Sequence, residues 1–167
     1  MKKLFVLLAL LPFAAFGQKT DCQLDIYGCY VHTINALAKG TDGLANLHKQ
    51  IAGSKTNDIY VAKQYFTINL PEKVDKLNIH YEDINEQATE LYKQQQAKKT
   101  GLAYMTELTI TSDTCYLWVM PVQLIKVDGQ IEPDYPNKGC RMNFLVSKET
   151  GKLCFVNANC PPADKKD

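Results

Sequence analysis

The sequence predicts an α+β domain in which N-terminal helices pack on a four-stranded antiparallel sheet stapled by disulfides. Three observations support this prediction. Apolar residues recur at helical spacing through much of the first hundred residues. From about residue 103 onward, strand-like apolar runs are separated by polar turns, such as those at residues 111–114 and 148–151. An even number of cysteines follows an apolar leader.

The N-terminus predicts export. Residues 1–3 are a short basic start, residues 4–13 are an apolar run, and small residues at 15 and 17 precede Gln18. This three-part pattern is typical of a secretory signal peptide, and its apolar part is too short to span a bilayer stably. We therefore predict a signal peptide over residues 1–17, cleaved near Gly17, and a periplasmic or secreted mature chain.

Removal of that leader leaves about 150 residues, which suffice for one core. We predict a single domain over residues 18–160 and a flexible tail over residues 161–167. The chain has 19 basic and 18 acidic residues, and loss of Lys2 and Lys3 leaves 17 basic against 18 acidic ones. This balance argues against a nucleic-acid partner. No later segment is apolar enough for stable membrane insertion.

Two helices are predicted at the start of the domain. Residues 20–23 have the spacing of a capping box, so the first helix should begin there, run towards Lys39 and end at Gly40. Apolar residues within 44–51 then predict a short second helix, which Gly53 ends.

The middle of the chain holds a mixed segment and a clear helix. Residues 57–70 suit a helix in part, but the alternation within Phe66–Leu70 favours a strand there. Residues 82–99 predict a helix with a narrow apolar stripe, so it should lie across a sheet with most of its surface solvated. The stripe consists of Ile84, Ala88, Leu91 and Gln95.

Four strands should follow as a meander. Their predicted bounds are Ala103–Thr111, Thr114–Val127, Cys140–Ser147 and Lys152–Asn157. The turn at residues 148–151 sets the register of the last two strands, so that Phe144 faces Phe155 and Cys140 lies beside Cys160.

The six cysteines predict three disulfides rather than a metal site, because exported chains with an even count form disulfides. The register above favours a Cys140–Cys160 bond. Cys22 and Cys29 are seven residues apart on a predicted helix, about 10 Å by helical rise, which is too far for them to pair. Their partners should be Cys115 and Cys154, in either combination.

This order of elements resembles the NTF2-like and cystatin-like group of small exported bacterial proteins. The resemblance covers most of the mature chain and rests on the succession of helix, helix, strand, helix and meander. Proteins of this group include enzymes, carriers and immunity proteins that block a rival's toxin. The resemblance therefore implies a fold and leaves the function open.

Residues for catalysis do not occur in a recognisable arrangement. His32, His48 and His80 have no partner at a useful spacing, and no serine lies in a nucleophile elbow. Cysteines that are paired in disulfides leave no thiolate nucleophile. We therefore predict no catalytic residue, no metal ligand and no cofactor.

The loop between the second and third predicted strands is the candidate working surface. Pro133 and Pro136 stiffen it, which lowers the entropy lost on binding. It also presents an aromatic side chain, the kind of anchor that dominates protein interfaces. Arg141, the only arginine, should pair with a neighbouring carboxylate. The predicted partner-binding residues are Glu132, Asp134, Tyr135, Asn137 and Lys138.

We expect an exported, non-enzymatic protein that binds another protein, as an inhibitor or immunity factor against a secreted toxin or hydrolase. Two alternatives stay open. One is a carrier of a small apolar ligand, in a sheet-lined cavity formed by Tyr104, Met105, Trp118 and Met120. The other is a hydrolase whose histidine and carboxylate the sequence does not locate.

Overall fold

The computed structural model describes residues 22–52, 57–97, 101–135 and 139–161. The predicted signal peptide, the predicted helix end at Gly53 and the tail beyond its first residue lie outside these ranges.

Three α-helices and nine strands make up the described chain. The helices are α1 (Ile26–Lys39), α2 (Ala45–Ile51) and α3 (Ile84–Gln96), and a 3-10 helix lies at Tyr65–Thr67. The strands are β1 (Asp58–Ala62), β2 (Lys73–Val74), β3 (Leu77–Glu82), β4 (Leu102–Met105), β5 (Thr109–Ile110), β6 (Thr114–Val127), β7 (Gln130–Asp134), β8 (Cys140–Val146) and β9 (Leu153–Asn159).

The strands form one mixed sheet in the order β2-β3-β1-β4-β6-β8-β9, with β5 and β7 also paired to β6. β1 runs parallel to β3 and to β4. The α+β class is confirmed, but the predicted four-stranded antiparallel sheet is wrong, since the sheet is mixed and has nine strands. β1 and β3 were missed because Asp58, Asn78 and His80 interrupt their apolar pattern and instead hydrogen-bond one another across the strands.

The segment between α2 and β2 is also corrected. The strand predicted at Phe66–Leu70 lies instead at Asp58–Ala62. The chain then forms the 3-10 helix, where Thr67 Oγ1 donates to the carbonyl of Gln64 at 2.6 Å and accepts from its N–H at 3.1 Å. This local side-chain bonding competes with strand pairing.

Helix α1 begins later than predicted. Asp25 caps it by accepting a hydrogen bond from the Gly28 N–H at 2.7 Å. Leu24 forms a β-bridge with Leu153 of β9, so the chain before the helix is extended. Gly40 ends the helix as predicted, with a left-handed φ of 65°.

The two sheet faces are covered differently. Helices α1 and α2 cover one face, the inner face, and bury a core that includes Ile34, Leu37 and Phe144. Helix α3 packs on the opposite, outer face through Leu91 and other apolar residues. Its Gln95 side chain donates to the Val122 carbonyl and accepts from the Leu124 N–H, each at 2.9 Å. Gln95, the last residue of the predicted stripe, therefore faces the sheet.

Both disulfides of the structure hold β9. Cys22 bonds Cys154, and Cys140 bonds Cys160 as predicted from the hairpin register. Phe144 faces Phe155, also as predicted. A bulge between Asn143 and Phe144 shifts the remaining pairs by one residue, which moves Cys160 closer to Cys140.

The third predicted disulfide is absent. All six cysteines lie in the described ranges, and Cys29 and Cys115 are buried free thiols. The prediction failed because an even count in an exported chain does not require every cysteine to pair.

Part of the predicted long loop is a tight hairpin. Asp128 and Gly129 have positive φ angles of 49° and 88°, and Val127 faces Gln130. Two residues with positive φ are typical of a type I′ turn, whose twist matches that of the flanking strands. The loop is thereby reduced to the stretch between β7 and β8. No helix in the described ranges is long and apolar enough to cross a membrane.

Candidate functional site

The part of the outer face that α3 leaves uncovered carries a group of aromatic, cationic and amide side chains. Strand register aligns them in two rows across β6, β8 and β9. Alternate residues of a strand point to the same face, so the six side chains of these two rows share the outer face. We call them the outer patch: Trp118, Arg141 and Asn159 in one row, and Tyr116, Asn143 and Asn157 in the other.

Arg141 lies at the centre of the outer patch. Its guanidinium carbon is 5.6 Å from the ring centroid of Tyr116 and 5.9 Å from that of Trp118. At such distances an aromatic ring attracts a cation. The carboxylate partner expected from the sequence is not found among the described residues. The Nε atom is buried and has no hydrogen-bond partner within the described chain.

The rest of the outer patch is open and partly apolar. Asn143 Nδ2 donates to Asn157 Oδ1 at 2.8 Å, which ties β8 to β9 on this face. A shallow groove of about 530 Å³ runs along these strands. In and around this groove, Trp118 is 38% exposed, Leu145 is 46% exposed and Val156 is 44% exposed. The surface therefore offers one cation, amides and apolar area to a molecule that docks on it.

Tyr135, the aromatic residue of the predicted loop, lies beside this surface. Its ring is edge-on to Tyr104, with centroids 5.2 Å apart. Tyr104 faces Met120 across β4 and β6, and Met120 is two residues from Trp118 on the same face. Burial, and then the neighbouring Tyr104, raise the pKa of Tyr135. Its hydroxyl is therefore neutral at pH 7 and able to donate a hydrogen bond.

The acidic residues of the predicted partner-binding set, Glu132 and Asp134, point away from the outer face. Register and strand alternation place Glu132 and Asp134 opposite to Ile131, which packs against the α3 cluster on the outer face. The structure therefore does not bring these carboxylates together with the exposed tyrosine of the set. Asn137 and Lys138 lie outside the described residues.

A second polar cluster lies on β1 and β3. His80 Nε2 donates to Asp58 Oδ1 at 3.0 Å, Asn78 Nδ2 donates to the same oxygen at 2.9 Å, and the Tyr60 ring stacks on His80 at 4.7 Å. A carboxylate that orients a histidine can support proton transfer. The described residues that line the adjoining groove of about 830 Å³ include no serine or cysteine nucleophile. Sequence spacing did not show this pair, because parallel pairing of two distant strands creates it.

His32 is a packing residue. Its ring lies 4.5 Å from that of Phe155 and 6.2 Å from that of Phe144. Nε2 is 3.3 Å from Asp42 Oδ2, within ion-pair distance, but the alignment does not make a hydrogen bond. Burial lowers the pKa of His32 and the Asp42 carboxylate partly opposes that shift. The imidazole therefore serves as an aromatic side chain at the edge of the core.

The four residues of the predicted ligand cavity do not line one space. Met105 is fully buried on the inner face, where it faces Val119. Tyr104, Trp118 and Met120 lie on the outer face, by the alternation of β4 and β6. A cavity formed by these four residues is not assembled.

Comparison with known proteins identifies no relative: no family model, no curated protein and no solved structure matches the chain. The resemblance to NTF2-like and cystatin-like proteins therefore stays a prediction from the order of elements.

Proposed function

We propose that this protein is exported and binds another protein without catalysing a reaction, as an inhibitor or immunity factor against a secreted toxin or hydrolase. We place its binding surface on the outer patch together with Tyr104 and Tyr135. The observation that carries the proposal is the clustering of tryptophan, tyrosine and arginine on an uncovered sheet face. These three residue types supply most of the energy at protein interfaces.

Rigidity of this surface supports the proposal. The outer patch stands on three adjacent strands, and disulfides anchor two of them at Cys140, Cys154 and Cys160. Aromatic side chains have few rotatable bonds, so ordering them on binding costs little conformational entropy. A pre-formed aromatic surface is suited to a folded protein partner.

Export is supported by two independent features. Disulfides form and persist in oxidising compartments such as the periplasm or the extracellular space, and this chain has two. The N-terminal sequence has the three-part pattern of a secretory leader. We therefore place the partner in the same compartment.

A hydrolase is the alternative, and the observation that favours it is the Asp58–His80 pair. It ranks second because a histidine and a carboxylate need a nucleophile, or a bound water, to cleave a bond. A carrier has less support, since the residues expected to line its cavity lie on two faces of the sheet.

Substitutions on the outer face test the proposal. The partner would be captured from extracts of competing bacteria and its affinity measured for each variant. Trp118→Ala and Tyr135→Ala should each weaken binding by about 2 kcal/mol, or roughly 30-fold. The melting temperature should change little, because both side chains are partly exposed, Trp118 at 38% and Tyr135 at 42%.

Matched controls come from the same chain. Tyr65 is 69% exposed on the 3-10 helix, outside the outer patch, so Tyr65→Ala should leave affinity unchanged. Glu132→Ala and Asp134→Ala, on the other side of the hairpin, should also have little effect. The binding surface would move to that side if the two acidic variants lowered affinity and Trp118→Ala did not.

A further inference from the structure

Arg141 is the cation at the centre of the outer patch. It is the only arginine of the chain, and the described carboxylates do not pair with it. The Tyr116 and Trp118 rings hold its guanidinium at 5.6 Å and 5.9 Å, so its position is set before any ligand arrives. Its Nε–H is buried without an acceptor among the described atoms.

We propose that Arg141 receives a carboxylate of the protein partner, from an aspartate or glutamate side chain, and that this charge pair selects acidic partners. The inference rests on the proposed function and specifies the chemistry of the partner. A guanidinium is a planar fork whose N–H groups match both oxygens of a carboxylate. The fixed position of Arg141 lowers the entropy lost when that pair forms.

The surroundings of Arg141 favour a protein segment over a small anion. Leu145 and Val156 line the same groove as Arg141 and are 46% and 44% exposed, and a free carboxylate would leave them in water. A protein segment would cover this apolar area and carry its carboxylate to the guanidinium. A phosphate, with close to two negative charges, is usually held by several cations, whereas the outer patch contains one cation.

Peptide selection tests the inference without a known partner. A random peptide library displayed on phage would be panned against the full chain, expressed with its leader and oxidised. We expect selected sequences to share an aspartate or glutamate at one position. In a synthetic peptide with that residue replaced by its amide, affinity should fall about 30-fold or more. Arg141→Gln should cause a similar loss of affinity for the acidic peptide. The Arg141→Gln protein should bind the acidic and amide peptides with equal affinity.

Arg141→Lys is the matched variant, since it retains the positive charge but loses the planar fork. It should bind the acidic peptide more tightly than Arg141→Gln and more weakly than the unchanged protein. Thermal melting of all three proteins shows whether they are folded. A weak binder with an unchanged melting temperature then reports the lost contact rather than lost structure.

The single arginine also provides a direct readout. Its Nε–H should give one arginine side-chain resonance in a ¹⁵N–¹H spectrum. That resonance should shift on addition of the acidic peptide and stay in place with the amide peptide. Sodium acetate at the same concentration should leave it unchanged. A shift with acetate equal to that with the peptide would indicate a small-anion site and overturn the inference.

The remaining outcomes separate this inference from the proposed function. A library that yields no acidic binder dependent on Arg141 overturns the inference. So does a captured protein partner whose affinity falls with Trp118→Ala but not with Arg141→Gln, although the proposed function would then stand. A partner that is insensitive to both substitutions would overturn both.

Discussion

Cys29 and Cys115 are buried thiols of the inner core. Cys29 on α1 is 0% exposed, and Cys115 on β6 is 1% exposed. Burial, and then the nearby Cys115 and Asp25, raise the pKa of Cys29 to about 12. Burial also raises the pKa of Cys115. Because the thiolate is the reactive form of cysteine, both groups should be inert in the folded protein at neutral pH.

This gives a prediction for the intact protein. Two disulfides, each costing two hydrogens, should make its mass four hydrogens lower than that of the reduced chain. A maleimide should label two thiols only after denaturant unfolds the protein. A loss of six hydrogens would instead show a Cys29–Cys115 bond, and rapid labelling of the native protein would show that these thiols are accessible.

At the scale of single residues, the sequence predicts which side of a strand a residue faces, but not which residues it contacts. Alternation places Arg141 on the side opposite Met142 and Phe144, and the structure agrees. Its neighbours were not predictable, because the register of β6 against β8 brings Trp118 opposite Arg141. The positive charge predicts a carboxylate neighbour, whereas the guanidinium lies over two aromatic rings.

Both disulfides connect β9, or the residue just beyond it, to other parts of the chain. Cys154 in β9 is bonded to Cys22, 132 residues away, and Cys160 just beyond β9 is bonded to Cys140, 20 residues away. In the chain-entropy model, closing loops of these sizes stabilises the fold by about 5 and about 3 kcal/mol. The longer bond should therefore stabilise the fold more.

Paired serine substitutions test this expectation. Cys22→Ser with Cys154→Ser should lower the urea midpoint of unfolding more than Cys140→Ser with Cys160→Ser does. The two variants match in design, since each removes one bond that holds β9. The reverse order would mean that contacts of the native hairpin, rather than the entropy of the unfolded chain, set the contribution of each bond.

At the scale of elements, local sequence signals were sufficient to predict single strands and helices. They were not sufficient to predict which strands pair. The bounds of β6 are those predicted, because a long, mostly apolar run lies between two turns of polar residues. Helix α3 was also found, since its composition favours a helix and Asp83 caps it. The parallel pairing of β1 with β3 and β4 was missed, because short strands with polar residues give little periodicity and their partners are distant in the sequence.

At the scale of the whole molecule, unequal covering of the sheet creates the candidate site. Helices α1 and α2 close the inner face, whereas α3 closes only part of the outer face. Strands β6, β8 and β9 pair antiparallel. Antiparallel strands often leave one face to solvent, and that face is normally polar. Here it carries Trp118, Leu145 and Val156. The sequence could not predict this site, since its residues come from three strands and the position of α3 decides which part stays open.

Trp118 is the only tryptophan of the chain and stands on the open part of the outer face, so it reports where a partner docks. Its side chain is 38% exposed. A partner bound on the outer patch should reduce acrylamide quenching of Trp118 and shift its emission to shorter wavelength, because the indole loses its contact with water. Unchanged quenching at saturating partner would place the interface elsewhere, on the side of the hairpin with Glu132 and Asp134 or on the groove beside His80.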